Sequence, residues 1–211
     1  MPEAFGERSA TRAALLELQA ERHMVREGYD FLDEKRLLLA AEILRLLGEY
    51  ERLSGEFEDC HREATRAFAD ATARHGLEGI EVYPAAPLER AELQQRSYSF
   101  LGVALQDTQL INASEAAPLR PGAHPSPEAR RSRERFHELI TRAAVLAGLT
   151  GNLQRLLDEY RRTERRARAL ENVLMPEIDR AITEIDNRLE EIDLEEAVRV
   201  RFPQSARKAK T

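Results

Sequence analysis

Apolar residues recur at strict heptad spacing from Leu15 to Ala71, and few folds can accommodate such a pattern. One series runs through Leu15, Arg22, Tyr29, Arg36, Ile43, Tyr50, Phe57, Ala64 and Ala71. The interleaved series runs through Leu18, Val25, Leu32, Leu39, Leu46, Leu53, Cys60 and Ala67, so only two arginines break the apolar rule. A 3.5-residue repeat on a 3.6-residue helix keeps one stripe turned toward a partner helix and predicts a left-handed supercoil. At 1.5 Å per residue, about sixty residues of helix make an element on the order of 90 Å long. Such an element suits reach and mechanical coupling better than the enclosure of a substrate.

The rest of the composition agrees. Of 211 residues, 33% are charged and only 6% aromatic, with no Trp, which is the balance of long helices rather than of one compact core. The net charge of −6 is spread through mixed-sign sequence and argues against a primary nucleic-acid binder. No run approaches the roughly 18 apolar residues needed to cross a bilayer, and no signal peptide is visible, so the cytoplasm is the expected compartment. The single cysteine, Cys60, cannot form an internal disulfide and falls on the seam as a buried thiol.

Punctuation divides the chain into an N-terminal helix (1–75), a central insert (76–127), a second helix (128–200) and a basic tail (201–211). Ser9 or Thr11 can cap the first helix, and Gly76 follows its end at about His75. The insert holds Pro84, Pro87, Pro118, Pro121, Pro125 and Pro127, a density that excludes a continuous helix. Ile80, Val82 and Tyr83, then Tyr98, Phe100, Leu101, Val103 and Leu105, predict two short strands, and Ala113 to Pro127 predicts a loop. Ser126-Pro127-Glu128 opens the second helix with a cap and a first-turn proline. Its predicted seam passes through Phe136, Leu139, Ala143, Leu146, Thr150, Leu153, Leu157, Tyr160, Glu164, Ala167, Glu171, Leu174 and Ile178, then drifts through Ile182, Ile185, Leu189 and Ile192.

Two helices of matching length joined by a small insert predict an all-α fold. It is a long antiparallel two-helix coiled-coil hairpin whose central insert contains a short β-hairpin. Folding at the middle pairs residues whose numbers add to roughly 200–210. Arg36 then comes near Glu171, a charged pair in the seam that would fix register. Gly48 and Gly55 face Gly148 and Gly151 under the same rule, as either a soft point or a site of close backbone packing.

Chemistry-bearing motifs are missing from the sequence. There is no phosphate-binding glycine loop and no dinucleotide fingerprint. The five histidines and the lone cysteine show no metal-ligand spacing. The acidic pairs Glu190-Glu191 and Glu195-Glu196 read as solvated helix faces. No catalytic residue, cofactor or metal is expected, and the chain reads as a non-enzyme. Arg161, Arg162, Arg165, Arg166 and Arg168 form a basic band interspersed with Glu159, Glu164 and Glu171. That pattern favours an acidic protein surface over nucleic acid.

Several segments resemble a known family. Thr11-Arg12-Ala13-Ala14-Leu15-Leu16 and Gly28-Tyr29-Asp30-Phe31-Leu32-Asp33-Glu34-Lys35-Arg36 resemble the first helix of the D subunit of V-type and archaeal-type (A-type) rotary ATPases. Thr163-Glu164-Arg165-Arg166-Ala167-Arg168-Ala169-Leu170-Glu171 followed by Met175-Pro176 is similar to that family's second-helix segment, and Ser99-Phe100-Leu101-Gly102-Val103 to its middle motif. Ala167 and Arg168 depart from the family's Val-Asn pair, and Leu37 stands where an acidic residue is common. The resemblance implies a non-catalytic central-stalk rotor component that transmits torque between ATP turnover in the head and ion movement in the membrane. The implied partners are the companion rotor F subunit, the catalytic A and regulatory B subunits of the head, and the funnel-shaped C (d) subunit above the membrane ring. It implies a peripheral position on the inner face of the cell membrane, without direct insertion. Lys35, Arg36, Arg165, Arg166 and Glu171 are the residues assigned to coupling or hairpin register.

Two other classes compete. A holdase chaperone of the prefoldin type also joins long helices through β-hairpins, but it would expose apolar seam residues at its tips. A scaffold adaptor would use the arginine band and bind with steep salt dependence.

Overall fold

The computed structural model describes residues 11–83, 91–111 and 126–208, with side chains described as far as 199. The predicted loop at 113–127 lies outside the described residues except for its last two positions. The elements in chain order are α1 (Arg12–Ile80), β1 (Glu92–Phe100), β2 (Val103–Ile111) and α2 (Pro127–Ala169), then a five-residue π turn (Leu170–Leu174) and α3 (Met175–Lys208). Two long helical segments with one small β-hairpin between them are the architecture the sequence predicts.

Capping explains where the helices begin. Thr11 Oγ1 accepts the Ala14 amide at 3.1 Å, satisfying one of the open donors of the first turn of α1. Ser126 does the same for α2, accepting the Ala129 amide at 3.2 Å, with Pro127 at the first helical position. Near its end α1 is interrupted at Gly76, whose φ of 71° and ψ of 167° are not helical, before closing at Ile80. The strand predicted from Ile80, Val82 and Tyr83 does not form. Ile80 instead ends the helix, and the Tyr83 amide returns to the Ile80 carbonyl at 3.0 Å in a tight turn. Tyr83 then lies against His75, ring centroids 5.1 Å apart.

The other predicted strand is two strands. β1 and β2 are antiparallel, with Phe100 paired to Val103 and Glu92 to Ile111. Leu101 (φ 50°) and Gly102 (φ 86°) form the two-residue turn between them. Positive φ at both turn positions matches the right-handed twist of the flanking strands, and glycine takes the second without steric cost. β1 is exposed along nearly its whole length, so its sequence carries no alternation to reveal it.

Two compact units divide the residues: 1–37 with 161–211, and 38–160. In the first, Leu18, Ile178 and Ile185 form a buried core flanked by Leu15, Val25, Leu174, Ile182 and Leu189. The helices there run antiparallel, since Arg12 meets Asp193 at 3.1 Å and Arg22 meets Asp179 at 2.6 Å. In the second unit, Leu39 and Leu46 of α1, Val103 and Leu105 of β2, and Leu149 and Leu156 of α2 share one core. Cys60, Ala64 and Leu139 form a smaller one with Phe57 and Phe136.

All the apolar residues of the α1 seam are at least half-buried, as the heptads predict. The return segment differs. Leu149, Leu156 and Thr163 are buried there, whereas Thr150 and Leu157 are exposed. The predicted series through Thr150, Leu157 and Glu164 is thus one residue out of phase, at Leu149 and Leu156 for a reason that lies in β2. Leu153, Tyr160 and Ala167 of the interleaved series are covered as predicted.

Candidate coupling and register residues

β2 packs edge-on against α2, and polar chemistry fixes it there. Asn152 is buried, and its amide spans the backbone of Gln106: Oδ1 accepts the Gln106 amide at 2.8 Å and Nδ2 donates to the Gln106 carbonyl at 2.7 Å. The side chain thus acts as a short added strand, satisfying an edge that would otherwise be unpaired. Arg155 closes the contact, donating to Asn152 Oδ1 at 3.1 Å and to Gln106 Oε1 at 3.0 Å. Beside it Thr108 presses on Gly148, where an added Cβ would sit 2.6 Å from both the Thr108 Cβ and Oγ1. A helix that must cover both α1 and a strand needs a wider apolar face, which is why Leu149 and Leu156 are inside.

Thr108 is 4% exposed, and among the described residues its Oγ1 has no hydrogen-bond partner. A buried hydroxyl without a partner costs on the order of 1–3 kcal/mol. Thr108→Val keeps the shape and removes the polar atom, so it should raise stability by about 1 kcal/mol, read as a higher denaturant midpoint at unchanged slope. A lower midpoint would show that the hydroxyl is satisfied after all.

The glycines are not a facing cluster. An added Cβ at Gly48 or Gly55 would meet nothing within 4 Å, so these two sit on open surface, and only Gly148 marks a close approach, to β2 rather than to α1.

Of the charged seam positions, Arg22 reaches across to Asp179, whereas Arg36 and Glu164 turn sideways. Arg36 is bonded to Asp33 on its own helix at 2.5 Å, and Glu164 to Arg168 at 2.6 Å. No hydrogen bond or ion pair joins Arg36 to Glu171, which is exposed in the π turn. The register link expected between them is therefore absent; a local partner three residues away is satisfied without crossing to the other helix. Lys35 is half-buried, and Arg165 and Arg166 are exposed.

Further cross-helix ion pairs lie off the seam. In the second unit Arg142 meets Glu56 at 2.9 Å and Arg135 meets Glu63 at 3.3 Å, and Arg74 pairs with Glu128. Arg142 and Arg135 also share Glu138, each at 2.9 Å, so five side chains make one chain of alternating charge around Cys60. The hydrogen bond from Arg142 holds the Glu138 carboxyl below its ordinary range against the opposing effect of burial. Stability from that shift is present above the ordinary carboxylate range and is lost as pH falls through the lowered value. Burial pushes the Cys60 thiol up, making it a structural rather than a reactive sulfur. These partly solvated pairs contribute about 0–1 kcal/mol each, so they tune register more than they hold the helices together.

Among the described residues no group of three or more His, Cys, Asp or Glu side chains could hold a metal ion, and no helix is long and apolar enough to cross a membrane. The family described as the ATP synthase D subunit matches residues 14–204. The V-type ATP synthase D subunit of Thermotoga neapolitana is 28% identical over 193 residues, covering 90% of this chain and 94% of the relative. The A-type ATP synthase D subunit of Methanoregula boonei is 27% identical, with 90% and 92% covered. The V-type ATP synthase D subunit of Anaeromyxobacter dehalogenans is 29% identical over 199 residues, with 92% and 93% covered.

Proposed function

This chain belongs to the ATP synthase D-subunit family, and from that membership we propose that it is the central-stalk rotor shaft of a V/A-type rotary ATPase. Its duty is mechanical: it passes torque between ATP turnover in the head and ion translocation through the membrane ring. The observation that carries the reading is the α1 seam, whose apolar residues from Leu15 to Ala71 are covered in each unit, by the antiparallel return segment and by the hairpin. A helix pair clad in ion pairs, with no catalytic constellation among its described residues, is fitted to bear load rather than to carry out chemistry.

Coupling follows from asymmetry. A two-helix shaft presents different side chains to each of several identical neighbours. Differential contact of that kind shifts the balance of their conformations and so their nucleotide affinities. The exposed Arg165 and Arg166 are the groups offered to acidic surfaces of the catalytic A and regulatory B subunits, with Lys35, Arg36 and Glu171 beside them in sequence or on the partner segment. The F subunit and the funnel-shaped C (d) subunit are the proposed partners of the remainder.

The test is reconstitution of the head with and without this chain. ATP-driven rotation of a probe fixed to the chain is expected only when it is present, and Arg165→Glu with Arg166→Glu should weaken coupling while leaving the melting temperature unchanged. ATP-driven rotation of the complex lacking this chain, or a stationary probe in a hydrolysing head, would overturn the reading.

A further inference from the structure

The return segment carries one residue too many for its heptads, and the place where it is stored has a particular geometry. Thr163 and Leu170 are seven apart, but Leu170 and Ile178 are eight apart, and Ile178 and Ile185 are again seven. The companion series, followed through its large apolar residues, does the same: Ala167 to Leu174 is seven, Leu174 to Ile182 eight, with the small Ala181 beside it on the same core, and Ile182 to Leu189 seven. All of these side chains are buried or half-buried, so both spacings are read from packed positions. One surplus residue in a regular helix would turn everything beyond it by about 100° and carry Ile178 and Ile185 away from Leu18.

The π turn absorbs it. The Met175 amide reaches back to the Leu170 carbonyl, a bond spanning five residues instead of four. Pro176 stands just beyond. It has no amide to donate, and in a regular α turn its ring would collide with the Asn172 carbonyl, so a widened turn accommodates both the proline and the extra residue. None of the five π residues is fully buried, although Ala167 and Ile178 on either side are. Opposite stands Gly28, where even an added Cβ would lie 3.7 Å from Leu170 Cδ1. Gly28 itself therefore sets no side chain against Leu170, and the turn meets the Leu18–Ile178–Ile185 core only through Leu174 at its end.

We propose that Leu170–Leu174 is a compliant joint in the shaft helix: it keeps the seam in phase across the surplus residue and yields before the α-helical turns that flank it. Under torque such a joint takes up twist locally, while Arg22–Asp179 and the Leu18–Ile178–Ile185 core hold the segment beyond it. The joint is a property of this unit alone, so its test stands apart from the rotor reading.

Hydrogen exchange resolved by residue, on the full chain, provides that test. Amides from Glu171 to Met175 should exchange about tenfold or more faster than those of Arg162–Ala167 and Ala181–Ile185, because local opening there needs less free energy. Pro176→Ala alone should retain fast exchange, since the surplus residue remains. A variant that lacks Pro176 altogether restores spacings of seven in both series and removes the proline with it. It should bring the segment to the protection of its flanks with no fall in melting temperature. Equal protection across the turn in the parent chain, slow exchange in Pro176→Ala, or a fall of several degrees in melting temperature in the shortened variant would each overturn the proposal.

Discussion

Leu156→Ala should destabilise the protein by about 2–5 kcal/mol, whereas Leu157→Ala should cost less than about 1 kcal/mol. The two leucines are neighbours with equal helix propensity, so the contrast isolates packing. Leu156 is 0% exposed, in the core shared by Leu39, Leu46, Leu105 and Leu149, while Leu157 is 37% exposed. Truncating the first leaves a cavity among side chains from three elements, which cannot all relax into it. Truncating the second removes methyls that already meet water. Denaturant melts of the two variants at equal slope would measure the difference directly. Similar losses would mean that the heptad phase written in the sequence, which assigns Leu157 to the seam, holds in solution.

The reason that phase misleads is physical. α1 is legible along its whole length because it presents one apolar stripe, and a single stripe shows as a clean repeat. The return segment packs against α1 and, around Gly148 and Asn152, against β2 as well. Two packing directions broaden its face until Leu156 and Leu157 satisfy the pattern equally well. Beyond Ala169 the surplus residue brings the expected and observed phases back together at Ile178, so the slip is invisible from the helix end. β1 is hidden in the sequence because Glu92 to Ser99 are exposed and mostly polar. A signal for the hairpin contact is present in Asn152, a polar residue among Leu149, Leu153 and Leu156. An amide at such a position must find a partner, and the backbone of a strand edge provides one. The coupling residues are legible only as a resemblance. Arg165 and Arg166 are exposed, as contact residues should be, but Arg36 satisfies its charge on Asp33 and leaves Glu171 alone.

Gly148→Ala should destabilise by about 1–3 kcal/mol, opposite in sign to Gly48→Ala and Gly55→Ala, which should each stabilise by up to about 1 kcal/mol. All three replace glycine by the best helix former in a helix interior, and intrinsic propensity alone would make every one of them favourable. At Gly148 the new methyl would sit 2.6 Å from the Thr108 Cβ and Oγ1, a short and branched side chain that cannot swing aside without moving β2. That movement strains the Asn152 bonds to the Gln106 backbone two residues away on the same strand. At Gly48 and Gly55 the methyl meets open space. If the clash with Thr108 is the cause, Thr108→Gly, which removes both the Cβ and the Oγ1, should rescue Gly148→Ala, and the double variant should be more stable than the two single effects add up to by on the order of 1 kcal/mol. Strict additivity would place the strain elsewhere, and a stabilised Gly148→Ala would mean that β2 does not press on α2 in solution.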